Sequence, residues 1–208
     1  MTLVTCISDL HGYKPDLTPG DLLIIAGDLT ARDTAEQYDE FNSWLNSLPF
    51  KCKVVIGGNH DVLLEELETK IEGPGVYYLQ DTGCEFRGLK IWGTPWTHRF
   101  HGQNPQAMAF SVKSEFQLKD FFDLIPADTD ILITHSPPLG ILDECRNGRA
   151  GSEMLRQAVF RIKPQLCCFG HIHENGGKSV DIDGILFVNA SVVNEFYQNV
   201  NQPFSVNF

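Results

Sequence analysis

The chain has 208 residues, of which 42% are hydrophobic and 21% charged, and its formal net charge is -11. Those figures describe a single soluble globular domain with a core large enough to fold without staples. They exclude a membrane helix, which needs about 18 consecutive apolar residues, and a general surface that attracts long nucleic acids, since no Lys/Arg run offsets the acidity.

In chain order, Leu3–Ser8 (LVTCIS) is apolar and reads as a strand. No basic flank or small-residue cleavage site marks it as a leader, so a cytoplasmic location is expected. Leu22–Ala26 is a second strand. Thr34–Leu48 is a helix with Tyr38, Phe41, Trp44, Leu45 and Leu48 on one face, and Thr34 with Gln37 resembles a capping box. Val54–Ile56 is a third strand, followed by a helix over Val62–Glu72 that Gly73-Pro74 closes. Val76–Trp96 reads as consecutive short strands joined by Gly-containing turns. Lys113–Ile125 is a third helix, bearing Phe116, Phe121 and Phe122. Ile131–Thr134 is the fourth core strand. Ser152–Lys163 is a helix with Ser152 as its N-cap and Pro164 past its end. Leu166–Phe169 is the fifth core strand, and Val180–Ala190 is a hairpin turning on Asp183-Gly184.

Continuous apolar runs predict strands buried on both faces. Their alternation with helices predicts an α/β layered fold. The two antiparallel regions predict two packed sheets with helices outside, in one domain spanning residues 1–208. The six cysteines form no CxxC pair, and buried reduced thiols are expected.

The chemistry lies where the apolar runs end. The five runs finish in Asp9-Leu10-His11, Gly27-Asp28, Gly58-Asn59-His60-Asp61, His135 and Gly170-His171-Ile172-His173. In open α/β sheets ligand sites form outside the carboxyl ends of the strands, so these residues should converge. Asp9 and His11 are two apart, as are His171 and His173; an extended chain would turn each pair to one side. Five of the seven histidines lie in these motifs. Carboxylates, imidazoles and one amide suit two ions of borderline hardness, with manganese, iron and zinc as candidates. A carboxylate shared between two ions would hold them about 3.5–4 Å apart, the spacing that clamps a phosphoryl group.

In order, SDLHG, GDLT, GGNHD, THSPPLG and GHIHE resemble the five blocks of the calcineurin-like metallophosphoesterases. WGTPW, SPPLGILDECRNGRAG and GHIHE are most similar to the small metallophosphoesterase-domain branch of that family. The resemblance implies a four-layer α/β/β/α sandwich, two mixed β-sheets flanked by helices, around a dimetal site. It implies that Asp9, His11 and His173 hold one metal, that Asp28 bridges both, and that Asn59, His135 and His171 hold the other. It further implies that His60 faces the substrate and that Asp61 orients His60. Some animal members of the branch lack one histidine of the Gly-His-x-His block; this chain keeps both.

Two divalent ions, two carboxylates and a bridging hydroxide leave the centre at about +1, suited to a phosphate ester. In-line attack by that hydroxide, with His60 as general acid, needs no covalent intermediate. The expected function is therefore a phosphodiesterase acting on small phosphate esters or nucleotides. A phosphomonoesterase and a non-catalytic nucleotide-binding scaffold are the alternatives. No long nucleic acid and no membrane partner are expected. Arg146 and Arg149 are candidate phosphate clamps. His98 and His101, with Trp96, are candidates for lining a substrate pocket.

Overall fold

The computed structural model describes residues 1–99 and 104–208, so His101 lies outside the described residues. The elements run β1 (Leu3–Ile7), β2 (Gly20–Ala26), α1 (Ala35–Ser47), β3 (Phe50–Ile56), α2 (Val62–Glu65), β4 (Val76–Tyr78), β5 (Thr82–Phe86), β6 (Leu89–Thr94), β7 (Thr97–His98) and β8 (Ser111–Val112). They continue with α3 (Glu115–Phe122), β9 (Ile131–Thr134), β10 (Glu144–Cys145), β11 (Gly148–Arg149), α4 (Glu153–Ile162), β12 (Leu166–Phe169), a 3-10 turn (His173–Asn175), β13 (Lys178–Ile182), β14 (Ile185–Asn189) and β15 (Phe204–Asn207).

Two large mixed sheets carry the fold. One has the order β15-β1-β2-β3-β4, parallel except for β15, which runs antiparallel to β1. The other has the order β13-β14-β12-β9-β6-β5, with a parallel centre and an antiparallel hairpin at each edge. The period-2 alternation of each buried strand decides what packs on what. Val4, Cys6, Leu22, Ile24 and Val54 face Ile131, Ile133, Leu166 and Cys168 across the space between the sheets. Their alternates Ile7, Leu23, Ile25 and Val55 pack under α1 with Tyr38, Phe41 and Leu45. Leu132, Cys167 and Phe169 pack under α3 and α4 with Leu118, Phe122, Leu155 and Val159. This is the α/β/β/α sandwich, and full burial of each such Leu or Ile contributes about 1.5–3 kcal/mol.

The predicted strands and hairpins are present, with the Asp183-Gly184 turn at φ 54° and 80° as a type I′ hairpin requires. The helix over Val62–Glu72 is corrected to the single turn of α2. Leu67 takes a left-handed φ of 59°. Leu67 N–H donates to Leu64 O and Glu68 N–H to Leu63 O, a Schellman motif that ends the helix early and leaves Leu67 77% exposed. The Thr34 cap is also half of what was expected. Its hydroxyl accepts from Gln37 N–H, but the Gln37 side chain accepts from Arg32 N–H, not from Thr34. The aromatic-rich tail, Phe196 to Phe208, returns as β15, and among the described residues no helix is long and apolar enough to cross a membrane.

Candidate metal centre and cleft

The C-terminal ends of β1, β2, β3, β9 and β12 meet at one edge of the sandwich. Asp9, His11, Asp28 and His171 do not continue the strands; their φ values are 53°, 42°, 55° and 66°. The i,i+2 pairs therefore converge through left-handed turns, not by the extended pleat expected from the spacing. Non-glycine residues in this region cost about 1–3 kcal/mol each and persist only where the surroundings impose them.

Those surroundings are visible. The Asp9 carboxylate accepts from His171 N–H at 3.0 Å and faces His173 Nε2 at 3.2 Å. Asp9 N–H donates to Gly27 O and His11 N–H to Asp28 O, tying the ends of β1 and β2 together. Gly170 allows β12 this approach, because a Cβ there would overlap the Asp9 carboxylate. A Cβ at Gly58 would likewise overlap Asp28.

Asp28 is the hinge of the site. Its Oδ2 lies 3.6 Å from His11 Nε2, and its Oδ1 lies 3.4 Å from His135 Nε2 while accepting from His60 N–H at 2.9 Å. On the Oδ2 side, one donor atom each from Asp9, His11, Asp28 and His173 lies within 4.8 Å of the others. On the Oδ1 side, Asn59 donates through Nδ2 to Ala107 O, which turns its Oδ1 toward His135 Nε2 at 2.9 Å. The His135 ring meets the His171 ring at 5.0 Å between centroids. His135 Nδ1 sits 2.9 Å from Ala26 O, the contact that presents Nε2 to a metal.

The electrostatics follow from burial and from the two carboxylates. Burial disfavours an ionised Asp9, yet the His173 hydrogen bond and charge bring it down to about 2. Burial likewise opposes ionisation of Asp28, but His135 draws it well below the usual carboxylate range. Burial opposes a charged His135 too, and Asp28 overrides it, raising the ring to about 9. Burial, then the charge of His135, lowers His171 to about 3. Burial lowers His11 as well, against the charges of Asp28 and Asp9.

A metal fits this donor set. Among the described residues His11 Nε2 is buried without a hydrogen-bond partner, an arrangement that native interiors rarely tolerate unless an ion or water completes it. Two carboxylates, four imidazoles and an amide oxygen are donors that suit divalent ions of borderline hardness.

His60 stands beside the donors, not among them. It is half-buried, and its ring meets the His11 ring edge-on at 4.9 Å. Asp61 does not orient it. The Asp61 carboxylate accepts from Gly58 N–H, Asp28 N–H and Leu29 N–H and from the Tyr38 hydroxyl. Its partners are the backbone ends of β2 and β3, so its role is to clamp the two loops. Burial and the Asp28 charge push its carboxyl up to about 7, against those donors.

His60 and His98 line a cavity of about 810 Å³ that opens beside Asp28, together with Arg149, Glu174 and Tyr197. Arg149 is not an uncommitted clamp, because Asp143 and Glu144 each hold its guanidinium at 2.7 Å. The Arg146 side chain is exposed, and its backbone N–H donates to Glu174. Two contributors were missed in the sequence. Tyr38 looked like one more apolar position of α1, and Tyr197 lies in the aromatic-rich tail, Phe196 to Phe208, with no periodic signal.

Comparison with known proteins gives a consistent picture. Residues 2–175 match the model of the calcineurin-like phosphoesterase family. The chain is 37% identical over 233 aligned residues to metallophosphoesterase domain-containing protein 1 of Homo sapiens, covering 97% of this chain and 69% of that protein. Among solved structures, TT1561 of Thermus thermophilus superposes with a TM-score of 0.61 at 16% identity, covering 99% of this chain and 98% of the other. The phosphopantetheinyl hydrolase of Mycobacterium tuberculosis does so with a TM-score of 0.60 at 16% identity, over 93% and 90%. At such identity these two structures speak to the fold alone.

Proposed function

Since the chain belongs to the calcineurin-like phosphoesterase family, which is dimetal-dependent, we propose that it is a phosphodiesterase acting on small phosphate esters or nucleotides. The observation that carries this reading is the placement of Asp28 between two donor groups, with His60 outside both and on the cleft. Asp9, His11 and His173 would hold one ion, and Asn59, His135 and His171 the other, with Asp28 shared. Bound divalent ions of manganese, iron or zinc would lower the pKa of water toward neutrality and offset phosphate charge.

The chain's own groups supply the rest. Asn59 offers a neutral oxygen, adding a ligand without removing positive charge. The Ala26 carbonyl holds His135 by Nδ1, and Asp61 fixes the backbone that carries Asp28 and Asn59. His60, free of that coordination, holds a proton for the leaving oxygen. The net charge of -11 argues against long nucleic acids as substrates. Six unpaired cysteines support a cytoplasmic location.

The test is a panel of mono- and diesters with the stripped protein reloaded with manganese, iron or zinc. Turnover of an activated diester is expected, and no turnover with any metal on any ester would sink the reading. His60→Ala should lower kcat about 10²–10⁴-fold on diesters with poor leaving groups, and less on nitrophenyl esters, while both ions stay bound. Equal losses on both substrates would remove the general-acid role.

A further inference from the structure

The cleft holds one aromatic side chain that the proposed reaction does not use. Tyr197 lines the cavity, and its ring meets the His11 ring at 4.8 Å and the His173 ring at 5.1 Å, both edge-on. It is 49% exposed and lies over the partly buried rings of two metal donors, His11 and His173. Among the described residues its phenolic O–H makes no hydrogen bond, while its backbone carbonyl accepts from Tyr13 O–H at 3.1 Å.

The loop that carries it is built to hold it there. Tyr197 has a φ of 58°, a conformation that a bulky side chain adopts only when its neighbours enforce it. Asn194 supplies that enforcement. Its Oδ1 accepts from Phe196 N–H and Gln198 N–H, its backbone N–H donates to Gln198 O, and its carbonyl accepts from Tyr197 N–H. The stems of the loop are pinned to the end of β1, where Val192 N–H donates to Ser8 O and Ser8 pairs with Ser191. Asp9 follows directly. Tyr13, which braces the loop from the other side, lies two residues after His11. The segment that bears Tyr197 is thus tied at both ends to the segment that bears the metal donors.

Resting on the phosphodiesterase reading, we infer that Tyr197 is a substrate-positioning residue, whose O–H donates to an oxygen of the bound phosphate ester while its ring covers the His11 and His173 imidazoles. Three features support that assignment. A phosphate ester brings acceptor oxygens to this cleft, and an unpaired phenol is a donor of matching chemistry. Arg149, the charged donor on the cleft wall, is occupied by Asp143 and Glu144. His60 and Tyr197 both pack on the same His11 ring, so the two donors frame one position in the cavity. The assignment also divides the labour: His60 moves a proton, and Tyr197 holds the ester without gaining or losing one.

The experiment compares the manganese-loaded wild type with Tyr197→Phe and Tyr197→Ala. Two readouts are needed: steady-state hydrolysis of bis(4-nitrophenyl) phosphate, and calorimetric binding of inorganic phosphate. Tyr197→Phe keeps the ring and the fold, and should raise KM and the phosphate Kd by about tenfold with kcat within about twofold. Tyr197→Ala should show the same loss of phosphate affinity and, in addition, weaker manganese binding. Unchanged KM and phosphate Kd in Tyr197→Phe would overturn the inference. So would a fall in kcat with both affinities unchanged, which would make Tyr197 a support of the centre instead of a contact to substrate. If the wild type hydrolyses no ester but Tyr197→Phe still weakens phosphate binding, the hydrolase reading fails and this contact stands. If hydrolysis proceeds and Tyr197→Phe matches the wild type in both readouts, the contact fails and the hydrolase reading stands.

Discussion

The two sides of Asp28 are built differently. On the Oδ2 side stand Asp9, His11 and His173, which include a second carboxylate and a buried His11 Nε2 with no hydrogen-bond partner among the described residues. Both imidazoles there are partly open to the cleft. On the Oδ1 side stand Asn59, His135 and His171, which add no carboxylate beyond the shared Asp28. Asn59 and His135 are buried and already bonded to each other at 2.9 Å. An ion entering the first side gains an anion and completes an orphaned nitrogen. One entering the second must replace a hydrogen bond and gains mainly neutral ligands. The Asp9 side should therefore bind its ion more tightly, and the Asn59 side should be the first to empty under a chelator.

Asp28→Asn should have the largest effect, because it removes the charge both sides share. Loss of both ions is expected, with turnover reduced on the order of 10³-fold, the scale seen when a principal electrostatic element of an active site is removed. Elemental analysis after gel filtration checks this; a variant that keeps two ions per chain would show that the two sides do not depend on a shared ligand.

A matched pair of variants then separates the sides. Asn59→Ala should weaken the second ion by about 10–100-fold, the usual scale for losing one supporting group, and leave the first in place. His11→Ala should weaken the ion on the Asp9 side instead. Competition against a graded series of chelators reads both steps. If either variant loosened the two ions equally, the division at Asp28 would be wrong.

How much of this was legible in the sequence depends on the range of the interaction. The five core strands announced themselves because strands buried on both faces are apolar at every position. The donors were legible because each sits where such a run ends, and the layering followed from the two antiparallel regions and from the family resemblance. Helix length at α2 was not legible, since a left-handed Leu67 leaves no trace in composition. The same holds for the turns at Asp9, Asp28 and His171, whose φ is imposed by partners such as the Asp9–His171 bond, 162 residues apart in the chain. Asp61 illustrates the limit most clearly. The family resemblance implied His60 as its partner, and the fold gave it the N–H groups of Asp28 and Leu29, more than 30 residues away.

The smallest expected effect tests the clamp beneath both sides. The Tyr38 hydroxyl is fully buried and lies 2.9 Å from Asp61 Oδ1 and 2.8 Å from Asp33 Oδ1. It links α1 to the carboxylate that fixes Gly58, Asp28 and Leu29. Tyr38→Phe preserves the packing against Phe41 and Leu45 but leaves Asp61 with only its backbone donors, and deprives Asp33 as well. A buried acceptor stripped of its partner costs about 1–3 kcal/mol. For a chain of this size, a loss of about 2 kcal/mol should lower Tm by roughly 4–8 °C. The three backbone bonds to Asp61 remain, so both ions should still bind, and the chelator series should shift far less than in Asn59→Ala. A drop in Tm with metal affinity nearly intact would locate the Tyr38–Asp61 link in the scaffold. A loss of the Asn59-side ion as large as that of Asn59→Ala would instead make the hydroxyl part of the machinery that presents Asn59, and the difference between the two sides would then reach as far as α1.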